Sequence, residues 1–255
     1  MEVESGISED AVLGGKLRIR QPLRGHRVGH DAILLAAATA ARPGEKAVEL
    51  GSGVGAAGLA LAVRIPGLHV SLIEIDGQLC ALASANAALN RLNDRTMVVN
   101  ADVENRDLLT AAGLSPGGVD RVLMNPPFRD ARHQNVSPDP RRRLAHVGSP
   151  ELLSQWVATA AWLLKPDGVL TLIFRADGLD DVLATLEPRF GGITVLPVEP
   201  RAGAPAIRVL VRARKAPGGG RKIYPAFTLN DADGQPTAAA EAILREGKTL
   251  TIAQA

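Results

Sequence analysis

The chain has 255 residues, of which 46% are hydrophobic and 22% charged, with a formal net charge of +2. This composition is typical of a globular domain with its own core, and the small net charge does not by itself indicate a nucleic-acid partner. The chain lacks an uninterrupted apolar run of roughly 18 residues, so no membrane span is expected. The acidic start leads us to expect no secretory signal. The single cysteine, Cys80, excludes an internal disulfide and suits a reducing cytoplasm, which is the expected location.

Hydrophobic patterning predicts an N-terminal segment followed by alternating strands and helices. Residues 16–31 are basic and partly alternating, which is typical of a hairpin or an extended segment. Asp31 is the expected N-cap of a helix that ends before Pro43. Strands are expected at 46–50, 68–74, 96–100, 119–124, 169–174, 192–198 and 206–213. Helices are expected at 55–64, 77–91, 107–112, 151–164 and 178–187.

Strands that alternate with helices form βαβ units, so the pattern predicts an α/β fold with a doubly wound, mainly parallel sheet. The last two strands lack a helix between them and should pair antiparallel. We expect an N-terminal segment at 1–30, one domain at 31–215 and a C-terminal tail at 216–255. Gly218 to Gly220 would be a flexible joint before the tail, which holds a predicted helix at 237–246.

A glycine-rich turn follows the first strand of the predicted sheet. Gly51, Gly53 and Gly55 allow a sharp turn and a close approach of a ligand to the backbone. The start of the next helix offers free N–H groups to a carboxylate or a phosphate. The same pattern occurs in tight turns that only pack a helix on a sheet, so the glycines alone leave both interpretations open.

Three acidic residues stand around this turn in the order that a nucleoside cofactor needs. Glu74, with Ile75 after it, ends the next strand about 20 residues beyond the glycines, where an acid accepts ribose hydroxyls. Glu49 precedes the turn, and its charge would repel a pyrophosphate but suits the cationic groups of S-adenosylmethionine; its alternative role is loop capping. Asp102 is placed to accept the adenine amino group, although an isolated Asp is often a turn former.

The residues Asn125, Pro126, Pro127 and Phe128 follow the fourth strand, at the sheet edge where ligands bind in open α/β folds. The prolines fix the turn and leave the Asn125 and Pro126 carbonyls outside the strand ladder. Two such acceptors can hold the hydrogens of a planar amino group and aim its lone pair at a methyl donor. Phe128 can stack on a flat substrate. The alternative is a rigid turn with a core phenylalanine.

In this order and spacing, the glycine turn, Glu74, Asp102 and Asn-Pro-Pro-Phe resemble the class I S-adenosylmethionine-dependent amino-methyltransferases over residues 20–215. Residues 25–38 and the tail at 227–245 are similar to the bacterial tRNA1(Val) adenine-N6 methyltransferase group, with His26 where an aromatic is common and Phe128 in place of the usual Tyr.

The resemblance implies a Rossmann-like methyltransferase fold with seven strands in the order 3-2-1-4-5-7-6. It also implies methyl transfer to adenine N6 in tRNA, with Asn125 to Phe128 as the catalytic residues. The implied S-adenosylmethionine site consists of Glu49, Gly51, Gly53, Gly55, Glu74, Ile75, Asp102 and Asn125.

A basic segment follows the Pro-Pro turn and contains Arg129, Arg132, Arg141, Arg142 and Arg143. Such a segment can hold phosphates around an extruded base, but charge runs are more often solvated surface loops. Arg208, Arg212 and Arg214 form a weaker second patch on a predicted edge strand, where charge also serves to prevent aggregation. No His or Cys spacing suits a metal site, so no metal is expected.

Three other functions remain open at this point. A protein glutamine N5-methyltransferase of the release-factor type would present an amide nitrogen to the same turn, but the basic segment would then have no clear purpose. A guanine-N2 RNA methyltransferase would use the same chemistry on another base. A non-catalytic cofactor-binding partner of RNA is the third alternative. The oligomeric state and the target nucleotide are not decided by the sequence.

Overall fold

The chain begins with a hairpin and a helix that precede the main sheet. The computed structural model describes residues 6–24, 27–127, 150–216 and 218–254. Strands β1 (Ile7–Val12) and β2 (Leu17–Pro22) pair antiparallel, and helix α1 (His30–Ala38) follows. The basic N-terminal segment therefore contributes one strand of a hairpin.

The remaining elements alternate as the hydrophobic pattern predicts. The strands are β3 (Lys46–Leu50), β4 (His69–Glu74), β5 (Thr96–Asn100), β6 (Val119–Met124), β7 (Leu164–Arg175), β8 (Gly191–Arg201), β9 (Arg208–Arg214), β10 (Arg221–Ile223) and β11 (Phe227–Asn230). The helices are α2 (Ala56–Arg64), α3 (Gly77–Leu89), α4 (Arg106–Ala111), α5 (Pro150–Leu163), α6 (Leu179–Leu186) and α7 (Ala238–Leu244).

The main sheet has the predicted fold class and strand order. From one edge its strands run β5-β4-β3-β6-β7-β9-β8, which is the order 3-2-1-4-5-7-6 of the seven predicted strands. All neighbours are parallel except β9, which pairs antiparallel with both β7 and β8. Two short strands, β10 and β11, extend the edge by pairing in succession with the long strand β8.

Two hydrophobic clusters cover the two faces of the sheet. The first packs α1, α2 and the hairpin around fully buried side chains such as Leu34, Leu59 and Leu72. The second packs α4, α5 and α6 around residues such as Val157 and Leu186. Burial of one such side chain stabilises the fold by about 1.5–3 kcal/mol, so this three-layer arrangement holds the strand ends at fixed positions.

The start of α1 differs from the prediction. The N-cap is Gly29, and Asp31 lies in the first turn of the helix without capping it. There the Asp31 carboxylate accepts from Arg208 Nε at 2.9 Å. An acid in the first turn is still favoured by the partial positive charge of the helix start.

Strand β9 lies between β7 and β8, so the prediction that its arginines lie on an edge strand is wrong. Arg212 is buried and donates to the Ile252 carbonyl. Arg214 donates to Asp167 at 3.0 Å, and Arg208 pairs with Asp31. Internal partners therefore account for all three arginines.

The residues after β9 pack on the sheet. Gly218 and Gly220, expected in a flexible joint, offer their carbonyls to the N–H groups of Gly192 and Ile193. Further along, Leu250 and Ile252 are buried in the first cluster. Among the described residues, no helix is long and apolar enough to cross a membrane.

Candidate active site

Parallel strands bring the predicted site residues to one edge of the sheet. Leu50, the last residue of β3, pairs with Ile73 of β4 on one side and Met124 of β6 on the other. The residues that follow these three along the chain are Gly51, Glu74 and Asn125, so they lie at the same level of the sheet edge. Neighbouring strands lie about 4.8 Å apart. The glycine turn therefore stands between Glu74 and the Asn-Pro-Pro turn.

The three glycines of the turn have different physical roles. All three have positive φ angles, from 55° at Gly53 to 85° at Gly55. A Cβ on Gly51 would lie 2.3 Å from Trp156 Cη2, and one on Gly55 would lie 2.8 Å from Leu72 Cδ1. A Cβ on Gly53 would meet nothing within 4 Å. Protein packing thus explains Gly51 and Gly55, whereas the space beside Gly53 is open to a ligand.

Glu74 ties the glycine turn to the start of α3. Its Oε2 accepts from Gly53 N–H at 2.8 Å and its Oε1 from Asp76 N–H at 2.9 Å. Ile75, the next residue, is an exposed large apolar side chain with 58% of its surface accessible. The end of β4 therefore offers an acid that is already held in place and an uncovered apolar surface beside it.

Glu49 is buried beneath the turn. Its Oε2 accepts from Gly58 N–H in α2 at 2.7 Å. Burial raises the pKa of this carboxyl to about 8; the Gly58 hydrogen bond opposes the rise and the negative charge of Glu74 adds to it. A cation bound nearby would favour the charged form of Glu49. The Glu49 carboxyl therefore also accepts a backbone N–H near the start of α2, which agrees with the capping role considered as its alternative.

Asp102 lies beyond the end of β5 in a polar turn. Its Oδ1 accepts from Glu104 N–H at 2.9 Å, so it has the turn-forming role that is common for an isolated Asp. It borders an open depression of about 480 Å³, which is also lined by Glu104, Asn105, Arg106 and Asp107. The depression provides room for a ligand beside Asp102. The contact of Asp102 with a cofactor remains a prediction.

Asn125 presents an acceptor at the end of β6. Its Oδ1 is buried and has no hydrogen-bond partner within the described ranges. Pro126 after it is buried and Pro127 is exposed. A buried amide oxygen without a partner costs about 1–3 kcal/mol, so a donor that reached it would be bound favourably.

The remaining predicted site residues lie outside the described part of the chain. These are Phe128, Arg129, Arg132, Arg141, Arg142 and Arg143. Within the described residues, no group of three or more His, Cys, Asp or Glu side chains is placed to hold a metal ion.

Several side chains that support this edge were not predicted. Asn100 donates through Nδ2 to the Glu74 and Ile75 carbonyls. Asn86 donates to the Val54 carbonyl in the glycine turn. Trp156 packs against Gly51. The signal in the sequence was a pair of asparagines four residues apart, Asn86 and Asn90, in the predicted helix at 77–91, since that spacing puts them on one face.

The site lies within a region that a family model matches. The model is described as "Methyltransferase small domain" and matches residues 26–198, which contain the glycine turn, Glu74, Asp102 and the Asn-Pro-Pro turn. The chain belongs to the methyltransferase small domain family.

Two proteins similar to this chain have names that give different substrates. A Porphyromonas gingivalis protein named tRNA1(Val) (adenine(37)-N6)-methyltransferase is 33% identical over 161 residues. The match covers 61% of this chain and only 61% of that relative's length. A release factor glutamine methyltransferase of Chlorobaculum tepidum is 28% identical over 155 residues, which cover 58% of this chain and 52% of the relative.

A crystal structure of a predicted O-methyltransferase from Agrobacterium tumefaciens resembles this methyltransferase small domain along most of both chains. The TM-score is 0.73 at 26% sequence identity, and the match covers 86% of this chain and 98% of the other. The similarity extends beyond the region of the family model, which supports the doubly wound fold as a whole.

Proposed function

We propose that the protein is an S-adenosylmethionine-dependent methyltransferase that modifies an exocyclic amino nitrogen of an RNA base, adenine N6 in tRNA. The observation that carries the proposal is Asn125 Oδ1, a buried acceptor without a partner among the described residues. It stands at the end of β6, directly beside the glycine turn. An amino group has the hydrogens that such an acceptor needs.

The residues around the glycine turn fit S-adenosylmethionine, whose contribution when bound is an activated methyl group on a sulfonium. The open space at Gly53 allows a close approach to the backbone. Glu74 would accept the ribose hydroxyls, and Ile75, which is exposed, would pack on the adenine. Glu49 lies beneath the turn, where the positive charges of the bound cofactor would favour the charged form of its carboxyl. Asp102 would accept from the adenine amino group.

The target amino group would be held by the Asn125 Oδ1 and Pro126 carbonyl acceptors. The lone pair of an aromatic amine is delocalised, so its nucleophilicity rises when both hydrogens are pulled out of the ring plane. Positioning of this kind needs no strong base. Phe128 would stack on the flat target, a contact of about 1–3 kcal/mol.

Two features favour RNA over a peptide as the substrate. One is the relative named as an adenine-N6 tRNA methyltransferase, the more similar of the two named relatives. The other is the basic segment after the Pro-Pro turn, with Arg129, Arg132 and Arg141 to Arg143. Arginine forks suit phosphates, and a tRNA substrate would place the enzyme in the cytoplasm. The specific alternative is protein glutamine N5-methylation, which the Chlorobaculum relative supports.

The proposal is tested with labelled S-adenosylmethionine and three acceptors: total bacterial tRNA, ribosomal RNA and peptide chain release factor. Label in tRNA, followed by mass spectrometry that finds N6-methyladenosine, is the expected result. N2-methylguanosine would keep the RNA substrate and correct the base. Label in release factor alone would replace RNA by the glutamine alternative, and methyl groups on oxygen would overturn the proposed amino target.

A further inference from the structure

Asn86 is a fully buried amide that joins three parts of the structure. It lies on α3 with none of its surface exposed. Its Oδ1 accepts from Arg20 N–H at 2.7 Å, and its Nδ2 donates to the Arg20 carbonyl at 3.0 Å. The same Nδ2 donates to the Val54 carbonyl at 3.0 Å. The side chain thus connects α3 with strand β2 of the hairpin and with the glycine turn.

The bond to Val54 replaces a missing bond at the start of α2. If α2 included Val54, the Gly58 N–H would donate to the Val54 carbonyl, because helical N–H groups bind the carbonyl four residues earlier. Instead, Gly58 N–H donates to Glu49 and the Val54 carbonyl accepts from Asn86. Two buried side chains therefore satisfy both groups, and the peptide between Val54 and Gly55 is held where the chain enters α2.

That peptide lies next to the residue with open space around it. Gly53, directly before Val54, binds Glu74 through its N–H, and Gly55, directly after it, has a φ angle of 85°. Within the turn, Gly55 N–H donates to the Ser52 carbonyl at 2.8 Å, and Ser52 N–H donates to the Ile73 carbonyl at 2.8 Å. Asn86 restrains the glycine turn through its hydrogen bond to the Val54 carbonyl.

Asn90 provides an internal comparison. It lies one helical turn beyond Asn86, and its amide binds Arg18 in the same way, with Oδ1 accepting from Arg18 N–H at 2.9 Å and Nδ2 donating to the Arg18 carbonyl at 2.7 Å. The two asparagines together dock strand β2 on α3. Within the described residues, Asn86 binds the glycine turn and Asn90 does not.

We infer that Asn86 is a positioning residue for the glycine turn, and that the N-terminal hairpin supports the S-adenosylmethionine site through Asn86. The inference rests on the proposed cofactor. It assigns a role to residues 16–22, which the proposed chemistry does not use. Because Asn86 does not reach the target side, its loss weakens cofactor binding and leaves the transfer step unchanged once cofactor is saturating.

The test compares Asn86→Ala with Asn90→Ala in the full chain. Both variants lose part of the docking of β2, and Asn86→Ala should show the larger decrease in Tm because Asn86 is fully buried and also binds the Val54 carbonyl. Isothermal titration with S-adenosylmethionine should give a Kd about ten-fold higher in Asn86→Ala, as expected for one lost bond to a buried carbonyl, and a change of less than about two-fold in Asn90→Ala. With tRNA, Asn86→Ala should raise KM for S-adenosylmethionine and keep kcat.

Equal effects of the two substitutions on Kd would reduce Asn86 to a docking residue and overturn the inference. A wild-type chain that does not bind S-adenosylmethionine would instead refute the proposed function, so the two failures are distinguishable. Asn86→Asp is the second variant, because it keeps the side-chain volume and the bond from Arg20 N–H but sets a carboxylate against the Val54 carbonyl. Its Kd should rise at least as much as that of Asn86→Ala.

A measurement on the wild-type chain completes the test if neither variant folds. Coupling between two sites is reciprocal, so cofactor that orders the glycine turn should also order what the turn is bound to. Hydrogen–deuterium exchange of the β2 amides should slow when S-adenosylmethionine is added. Unchanged exchange in β2, with protection confined to the glycine turn, would contradict the inference.

Discussion

The two sides of the candidate site differ in how their polar groups are satisfied. On the cofactor side, the carboxylate and amide side chains at the strand ends bind the backbone of the protein: Glu49 binds Gly58, Glu74 binds Gly53, and Asn100 binds the Glu74 and Ile75 carbonyls. The exception on this side is the hydroxyl of Ser52 in the glycine turn, which is buried without a partner among the described residues. On the target side, at the end of β6, Asn125 Oδ1 is buried without a partner in the described part of the chain.

The difference indicates that binding and chemistry are prepared in different ways. A network whose members are already bonded keeps its shape before the ligand arrives, which lowers the cost of binding. An unpaired acceptor is unfavourable in the empty site and gains its partner only when the target is in place. Interactions of the second kind contribute to the rate, because they are completed with the reacting group.

The largest effect is expected for Asn125→Ala, which removes the unpaired acceptor. We expect kcat to fall by about 10²–10³-fold, the range found when one preorganised polar group is removed from a reacting centre. Because the hydrogen bonds that hold Glu49 and Glu74 do not involve Asn125 Oδ1, the Kd for S-adenosylmethionine should change by less than about three-fold even though Asn125 borders the implied cofactor site. Single-turnover methylation of tRNA and isothermal titration measure the two quantities separately.

A matched variant tests whether acceptance of a hydrogen bond is the reason. Asn125→Asp keeps an oxygen at the same position, so it should retain more activity than Asn125→Ala, whereas Asn125→Leu has a similar volume without the acceptor and should be as inactive as the alanine variant. Equal activities of the Asp and Leu variants would remove the acceptor role. A large loss of cofactor binding in Asn125→Ala would erase the proposed division between the two sides.

The next effect concerns the buried carboxyl of Glu49 on the cofactor side. Its pKa of about 8 lies above the ordinary value of 4.5 because of burial. The folded state therefore holds a proton that the unfolded state loses at lower pH. The stability this gives is fully present below pH 4.5 and is lost as the pH rises to about 8. Within this window the free energy of unfolding should fall by about 1.4 kcal/mol per pH unit.

Glu49→Gln isolates this contribution, since the amide does not titrate and keeps an oxygen for Gly58 N–H. Urea unfolding at pH 5.5, 6.5 and 7.5 should show that the wild-type chain loses about 3 kcal/mol relative to the variant over these two units. Parallel pH profiles of the two proteins would mean that Glu49 is charged in the folded state throughout. The cofactor side would then be less preorganised than its hydrogen bonds suggest.

Local patterns were sufficient to predict seven of the nine strands of the main sheet, and the family resemblance implied their order. Apolar strands such as residues 119–124 alternate with helices, and the right-handed connection rule leaves few arrangements for them. The short strand β10 was not predicted because its three residues are all exposed and carry no alternation. Asp31 was predicted as an N-cap from its residue type, but its actual partner, Arg208, is 177 residues away.

The candidate site was predictable in its order along the chain but not in its contacts. Glycines and an acid at strand ends meet at one edge of any parallel sheet, so Gly53 and Glu74 could be placed together from sequence. The bonds of Asn86 could not, because Arg20 lies 66 residues before it and no local pattern records which strand docks on a helix. Likewise, only the packed structure shows that Trp156 accounts for Gly51.

The smallest effect is expected on the target side, for Arg142→Ala combined with Arg143→Ala in the basic segment. If these arginines contact phosphates, the tRNA Kd should rise several-fold and the slope of log K against log salt should become shallower by about 1–2, since each lost contact removes about 0.7–0.9. Arg221→Ala is the control, because Arg221 is half-exposed, pairs with Glu187 and lies on β10 at the outer edge of the sheet.

Filter binding across a salt series would measure both the tRNA Kd and its salt slope. Identical slopes in wild type and double variant would make the segment a solvated loop, and the preference for RNA over a peptide would then rest on relatives alone.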